Sequence, residues 1–203
     1  MIQDLLMYGG AGKRQQILNA ATRVFAAKGF YSAKIEEIAI EAGVGKGTVY
    51  EYFANKKALF EEMVKYAIGE YTDGLKKAGT AGNDAEERLY GMFRFSLGFI
   101  DEKQDLARIL IKQPVGTSND LKEWLAQSKR RIVQCVQTVF TEGIEAGKFR
   151  RMDVKVAANI FLGTINSYSA EQIFDEAALP PGLVNDVIDV LMTGFRCERG
   201  ETD

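Results

Sequence analysis

The chain has 203 residues, 46% hydrophobic and 27% charged, enough to bury one large or two small cores in a soluble globular protein. With no histidine it is excluded from His-based triads, His zinc sites and imidazole proton shuttles, and Cys135 and Cys197 stand in no metal spacing. The net charge of −2 hides a split: residues 1–57 carry eight Lys/Arg against five Asp/Glu, and the rest carry eighteen against twenty-three.

Only three prolines occur, which favours a mostly helical chain. Residues 1–12, ending in a glycine-rich run, are expected to form a flexible arm. A first helix is predicted over about 13–28, with Ile17, Ala20, Ala21, Val24 and Phe25 on one face. Gly29 ends it, and Phe30 can fold back onto its last turn.

Residues 35–60 carry the most information. Ile35, Ile38 and Ala39 lie at helical spacing and would bury one face of a short second helix. Gly43 suits the left-handed conformation that stops this helix and turns the chain. Val44 would plug the turn, and Gly45 would stand at the N-cap of a third helix, Lys46 to Phe53. A bracing helix followed by a small, basic, aromatic one is the layout of a helix-turn-helix, whose second helix enters the major groove by its N-terminal end.

Asn55 should cap a fourth helix carrying Leu59, Phe60, Met63, Val64 and Ala67, reaching about Lys77 before a glycine-rich break at 78–83. Further helices are predicted over 84–101, 105–112, 119–146, from Asp153 to about Ile173, and from Pro181 to about Phe195. Residues 113–118 form a loop. No apolar run approaches the ~20 residues of a membrane span, and the start MIQDLL lacks the basic region of a secretory signal. Reduced thiols in a cytoplasmic protein are expected.

The motif residues Ile38, Ala39, Ala42, Gly43, Val44, Lys46, Gly47, Thr48, Val49, Tyr50, Tyr52, Phe53, Lys56 and Leu59 follow a pattern at fixed spacing. Through them the chain resembles the tetracycline-repressor (TetR) family of bacterial transcriptional regulators. The upstream residues Ile17, Ala20, Ala21, Phe25, Gly29 and Phe30 fit as well. The resemblance covers about residues 13–60 tightly and the remainder in helical layout alone. It implies an all-α fold of about nine helices: a three-helix DNA-binding domain at 13–57, then a helical effector-binding and dimerisation domain at 58–203.

The expected DNA contacts are Lys34, Gly45, Lys46, Gly47, Thr48, Tyr50, Tyr52 and Lys56. Lys46 can meet a phosphate or a guanine edge, and Gly47 lets the backbone approach closely. Thr48 offers a hydroxyl to phosphate and a methyl to thymine. Tyr50 and Tyr52 look like the family's phosphate-contacting aromatics, with base stacking open to Tyr50. Lys56 and Lys34 are candidates for phosphate. Two departures concern the operator: Glu36 and Glu51 place negative charge near the DNA face, and before the second helix only Ser32 offers a capping hydroxyl.

The resemblance also implies a homodimer on a pseudo-palindromic double-stranded operator. Its expected surface holds Val156, Ile160, Gly163, Thr164, Ser167, Val184, Val187, Ile188, Leu191 and Phe195, although such stripes also complete a monomer core. A small hydrophobic effector would occupy a pocket drawn from Met63, Tyr66, Phe93, Arg94, Phe99, Arg108, Trp124, Phe140, Asn166 and Gln172. The expected function is a repressor released by that effector, with no cofactor, metal or catalytic residue. The alternative is a DNA-bound adaptor on the same fold that recruits a protein partner. No nucleophile or carboxylate cluster points to an enzyme.

Overall fold

The computed structural model describes residues 2–105, 109, 118–174 and 180–196, with side chains from Gly12 onward. These residues divide into two compact units, one drawn from 1–68 and 105–123 and the other from 69–104 and 124–203. Among the described residues there are eight helices, and the helix expected over 105–112 lies largely outside them. No described helix is long and apolar enough to cross a membrane.

The first unit opens with α1, Ile2–Ser32, which is helical where residues 1–12 were expected to form an arm. Glycines at 9, 10 and 12 lower helix propensity without forbidding the helix. The backbone leaves helical geometry at Gly29 (φ 73°), and the Phe30 ring folds back to stack on Phe25 at 5.9 Å. The helix α2, Ile35–Glu41, buries Ile35, Ile38 and Ala39. Its N-terminus has no hydroxyl cap from Ser32; instead the Lys34 amide donates to the Glu37 carboxylate at 3.1 Å.

At the other end of α2, Gly43 takes φ 66° and the Val44 amide donates to the Ala39 carbonyl at 3.0 Å. That closure needs the left-handed region a side chain resists, so the turn is written into Gly43. Helix α3, Lys46–Tyr52, buries Val49, and Phe53 behind it is buried too. Helix α4, Lys56–Ala81, begins where Asn55 accepts from the Ala58 amide at 2.9 Å. Ile17, Phe25, Ile38, Val49, Leu59 and Phe60 are all buried in this unit and fix the angle between the short helices.

In the second unit, α5 (Ala85–Glu102) is joined by α6 (Asn119–Glu145) from Trp124 onward, α7 (Val154–Phe174) and α8 (Leu183–Phe195). Their shared core includes Leu89, Met92, Phe93, Phe140, Phe149, Phe161, Ile165 and Met192. Edge-to-face rings link it, with Phe140 at 6.2 Å from Phe161 and 5.1 Å from Phe195. Ser118 caps α6 and Asp153 caps α7, each accepting a first-turn amide at 3.1 Å. Cys135 is half-buried, and desolvation pushes its thiol up.

Asp84 caps α5, accepting the Glu87 amide at 3.0 Å and the Lys148 ammonium at 3.0 Å. The Glu87 amide first, and Lys148 second, hold its carboxyl below the usual range. A lowered folded-state pKa gives stability that is present above the unfolded value and lost as pH falls through the folded one. Thermal unfolding across an acid series should therefore show a loss beginning near about pH 4. Asp84→Asn, which retains a capping oxygen, should flatten that slope, and Asp84→Ala should cost about 1 kcal/mol at neutral pH. An unchanged acid slope in Asp84→Asn would remove Asp84 from this account.

Candidate nucleic-acid interface

The short helices of the first unit place a set of polar side chains on one exposed surface. Gly45, at φ −71°, starts α3 without a side chain of its own. Lys46 and Gly47 are exposed, Thr48 is half-buried, and Tyr50 stands out beyond them. Val49 points the other way into the core, as helical spacing requires. Tyr52 is half-buried, its ring 6.4 Å from that of Phe53. Lys34 is exposed at the N-cap of α2.

Two of the lysines have intramolecular partners that spacing along the sequence did not reveal. The Lys56 ammonium donates to the carbonyls of Tyr31 (3.1 Å) and Ala33 (2.9 Å) and lies 4.9 Å over the Phe30 ring. It therefore braces the chain between α1 and α2, and one N–H remains for another acceptor. The Lys46 ammonium is 2.5 Å from the Glu36 carboxylate and 5.9 Å from the Tyr50 ring. The hydrogen bond with Lys46 lowers the Glu36 pKa and raises that of Lys46, so both stay charged at neutral pH. Their separation of ten residues is bridged only because the Gly43 turn folds α3 back beside α2, a contact with no periodic signature.

In the second unit, the residues expected to meet an effector fall into different settings. Phe93 and Phe140 are fully buried core rings. Phe99 is half-buried, 5.4 Å from Tyr71 and 5.7 Å from Phe95. Trp124 is half-buried under the Arg131 guanidinium, while Arg94 and Asn166 are exposed. Met63 (buried) and Tyr66 (half-buried) belong to the first unit, and Arg108 lies outside the described residues. Gln172 is 5% exposed. Its amide nitrogen makes a long 3.5 Å bond to the Leu97 carbonyl, and its Oε1 has no partner among the described residues.

An open cleft of about 630 Å³ on α6 and α7 is lined by Ala126, Lys129, Arg130, Val133, Gln134, Gln137, Lys155 and Asn159, none of them an expected pocket residue. On α7, Val156, Ile160, Gly163 and Ser167 are exposed and Thr164 is half-buried. On α8, Val184 and Leu191 are half-buried, and Val187, Ile188 and Phe195 turn into the core rather than outward. Val190, which was not among the expected residues, is 73% exposed.

The description "Bacterial regulatory proteins, tetR family" matches residues 17–63, and "Tetracyclin repressor-like, C-terminal domain" matches residues 82–170. The chain is 24% identical over 185 residues to the fatty acid metabolism regulator protein of Bacillus subtilis, covering 90% of this chain and 95% of that one. The structure of the Bacillus subtilis transcriptional regulator FadR in complex with stearoyl-CoA superposes with a TM-score of 0.76 at 24% identity, covering 89% of this chain and 98% of that one. FadR from Bacillus halodurans, a fatty acid degradation regulator, gives a TM-score of 0.77 at 24% identity, covering 92% and 97%. At such identity the superpositions show the fold.

Proposed function

Because this chain belongs to the TetR family of bacterial transcriptional regulators, we propose that it is a homodimeric repressor released from a pseudo-palindromic operator by a long-chain acyl-coenzyme A. Its DNA contacts are Lys34, Lys46, Gly47, Thr48, Tyr50, Tyr52 and the free N–H of Lys56. Phosphate contacts set register and base contacts set sequence. The regulators of fatty acid metabolism among its relatives, one of them in complex with stearoyl-CoA, support the effector class.

The observation that carries the effector reading is Gln172. The Leu97 carbonyl can only accept, so the amide nitrogen must face it and Oε1 is left without a partner among the described residues. An unmet buried acceptor is costly and calls for a partner. One helical turn before Leu97 and Gln172, Phe93 and Tyr168 meet at 6.5 Å, so aromatic surface lies one turn away along both helices. An apolar chain carrying amide N–H groups, as acyl-coenzyme A does, meets both demands. A free fatty carboxylate offers no donor at neutral pH.

Binding and release are linked: an effector that prefers a conformation with lower DNA affinity lowers that affinity, and DNA lowers effector affinity by the same factor. The test is fluorescence anisotropy on a labelled operator, titrated with stearoyl-CoA and with stearate. Stearoyl-CoA should release the protein where stearate does not, and Gln172→Leu should weaken its action about 3- to 10-fold. Retention on the operator at saturating stearoyl-CoA would refute the effector reading and favour a partner-recruiting adaptor.

A further inference from the structure

Glu36 is an acidic residue in the first turn of α2. Its neighbour Glu37 accepts from the Lys34 amide at 3.1 Å and the Lys28 ammonium at 2.8 Å, and Glu41 accepts from Arg23 at 2.6 Å. Glu36 instead reaches across the turn to Lys46 at 2.5 Å, where the two side chains are 53% and 52% exposed. Ion pairs this exposed add little to stability. The pair lies on the surface that carries Gly47 and Tyr50, so its effect falls on whatever approaches that surface.

Side by side, the ammonium keeps free N–H donors and the carboxylate keeps free lone pairs. In the major groove a G·C pair shows a matching edge: guanine N7 and O6 accept, and the cytosine N4 amine donates. O6 and N4 are joined by a base-pair hydrogen bond of about 2.9 Å, close to the spacing of the two side-chain groups. An A·T pair also offers a donor beside an acceptor. It gives the ammonium one acceptor on thymine instead of two on guanine and sets the thymine methyl against it.

We propose that Glu36 and Lys46 act as one unit that reads a single G·C pair in each operator half-site, Lys46 donating to guanine and Glu36 accepting from cytosine N4. This rests on the DNA-binding reading of the surface. On any other sequence the carboxylate neutralises Lys46 and repels the backbone phosphates. The same contact thus lowers affinity for non-operator DNA, to which each counter-charged lysine would otherwise contribute.

The experiment selects duplexes from a random library with the wild-type protein and with Glu36→Ala, which removes the acceptor as well as the charge. Anisotropy then compares the selected duplex, the same duplex with the fixed G·C changed to A·T, and a scrambled duplex, across a salt series. The wild type should hold one G·C in each half-site and lose about tenfold or more when it is changed. Glu36→Ala should tolerate the change within about threefold and bind scrambled DNA several-fold tighter, while staying folded by thermal melt. If Glu36→Ala binds every duplex more tightly by one common factor, the carboxylate is plain repulsion and the proposal is overturned. A wild type that selects no sequence would overturn the DNA reading itself, a result distinct from any difference between the two proteins.

Discussion

Gly143→Ala is expected to lower the unfolding midpoint by about 4–8 °C, from an overpacking cost of about 2 kcal/mol in a chain of this size. A β-carbon at Gly143 would lie 2.2 Å from Cδ2 of Phe149, 2.3 Å from its Cε2 and 2.9 Å from Cβ of Ala85. The ring cannot easily retreat. Phe149 is buried, 5.6 Å from Phe140, and its amide donates to the Gly143 carbonyl at 3.1 Å. Beyond it, the Arg150 amide is held by the Phe195 carbonyl at 2.9 Å. Gly98→Ala is the control: within α5, with nothing inside 4 Å of the added carbon, it should stabilise by about 0.5–1 kcal/mol. Equal midpoints for the two variants in a thermal melt would contradict this account of the α6 C-terminus.

Gly143 also marks where sequence reading stops. Gly147, with φ 69°, announces itself as the end of α6 because the chain must turn there. Gly143 lies four residues earlier inside the helix, and its need for a missing side chain arises only once Phe149 folds back over it. The α2–α3 turn was legible for the opposite reason: Gly43 and the buried positions on either side of it are local and follow helical spacing. The partners of Lys46 and Lys56 lie ten and more than twenty residues away, so their engagement was not. On α8 the apolar stripe was visible, but periodicity cannot say whether such a stripe faces its own core or another subunit. Packing against α5 turns Val187, Ile188 and Phe195 inward and leaves Val190 outside.

The same distinction makes Ile160→Asp the most informative substitution for assembly, and its expected result is a monomer that binds the operator about 10²- to 10⁴-fold more weakly. Val156 and Ile160 are 55% and 47% exposed, and with exposed Gly163 and Ser167 they recur at helical spacing along one side of α7. Exposed apolar side chains beside small residues suit close approach of a second helix. A β-carbon at Gly163 would meet nothing within 4 Å, so the monomer places no demand on that glycine. Two reading heads on half-sites one helical turn apart gain affinity from being joined, and a monomer forfeits that gain. Aspartate at 160 removes no core contact, so the far-ultraviolet signal should be unchanged while the concentration dependence of the midpoint disappears. Val187→Asp, in the core, should instead unfold the second unit. Light scattering at micromolar protein and anisotropy on the operator distinguish the outcomes: a dimeric Ile160→Asp moves the interface off this side of α7, and a monomer with undiminished operator affinity removes dimerisation from the mechanism.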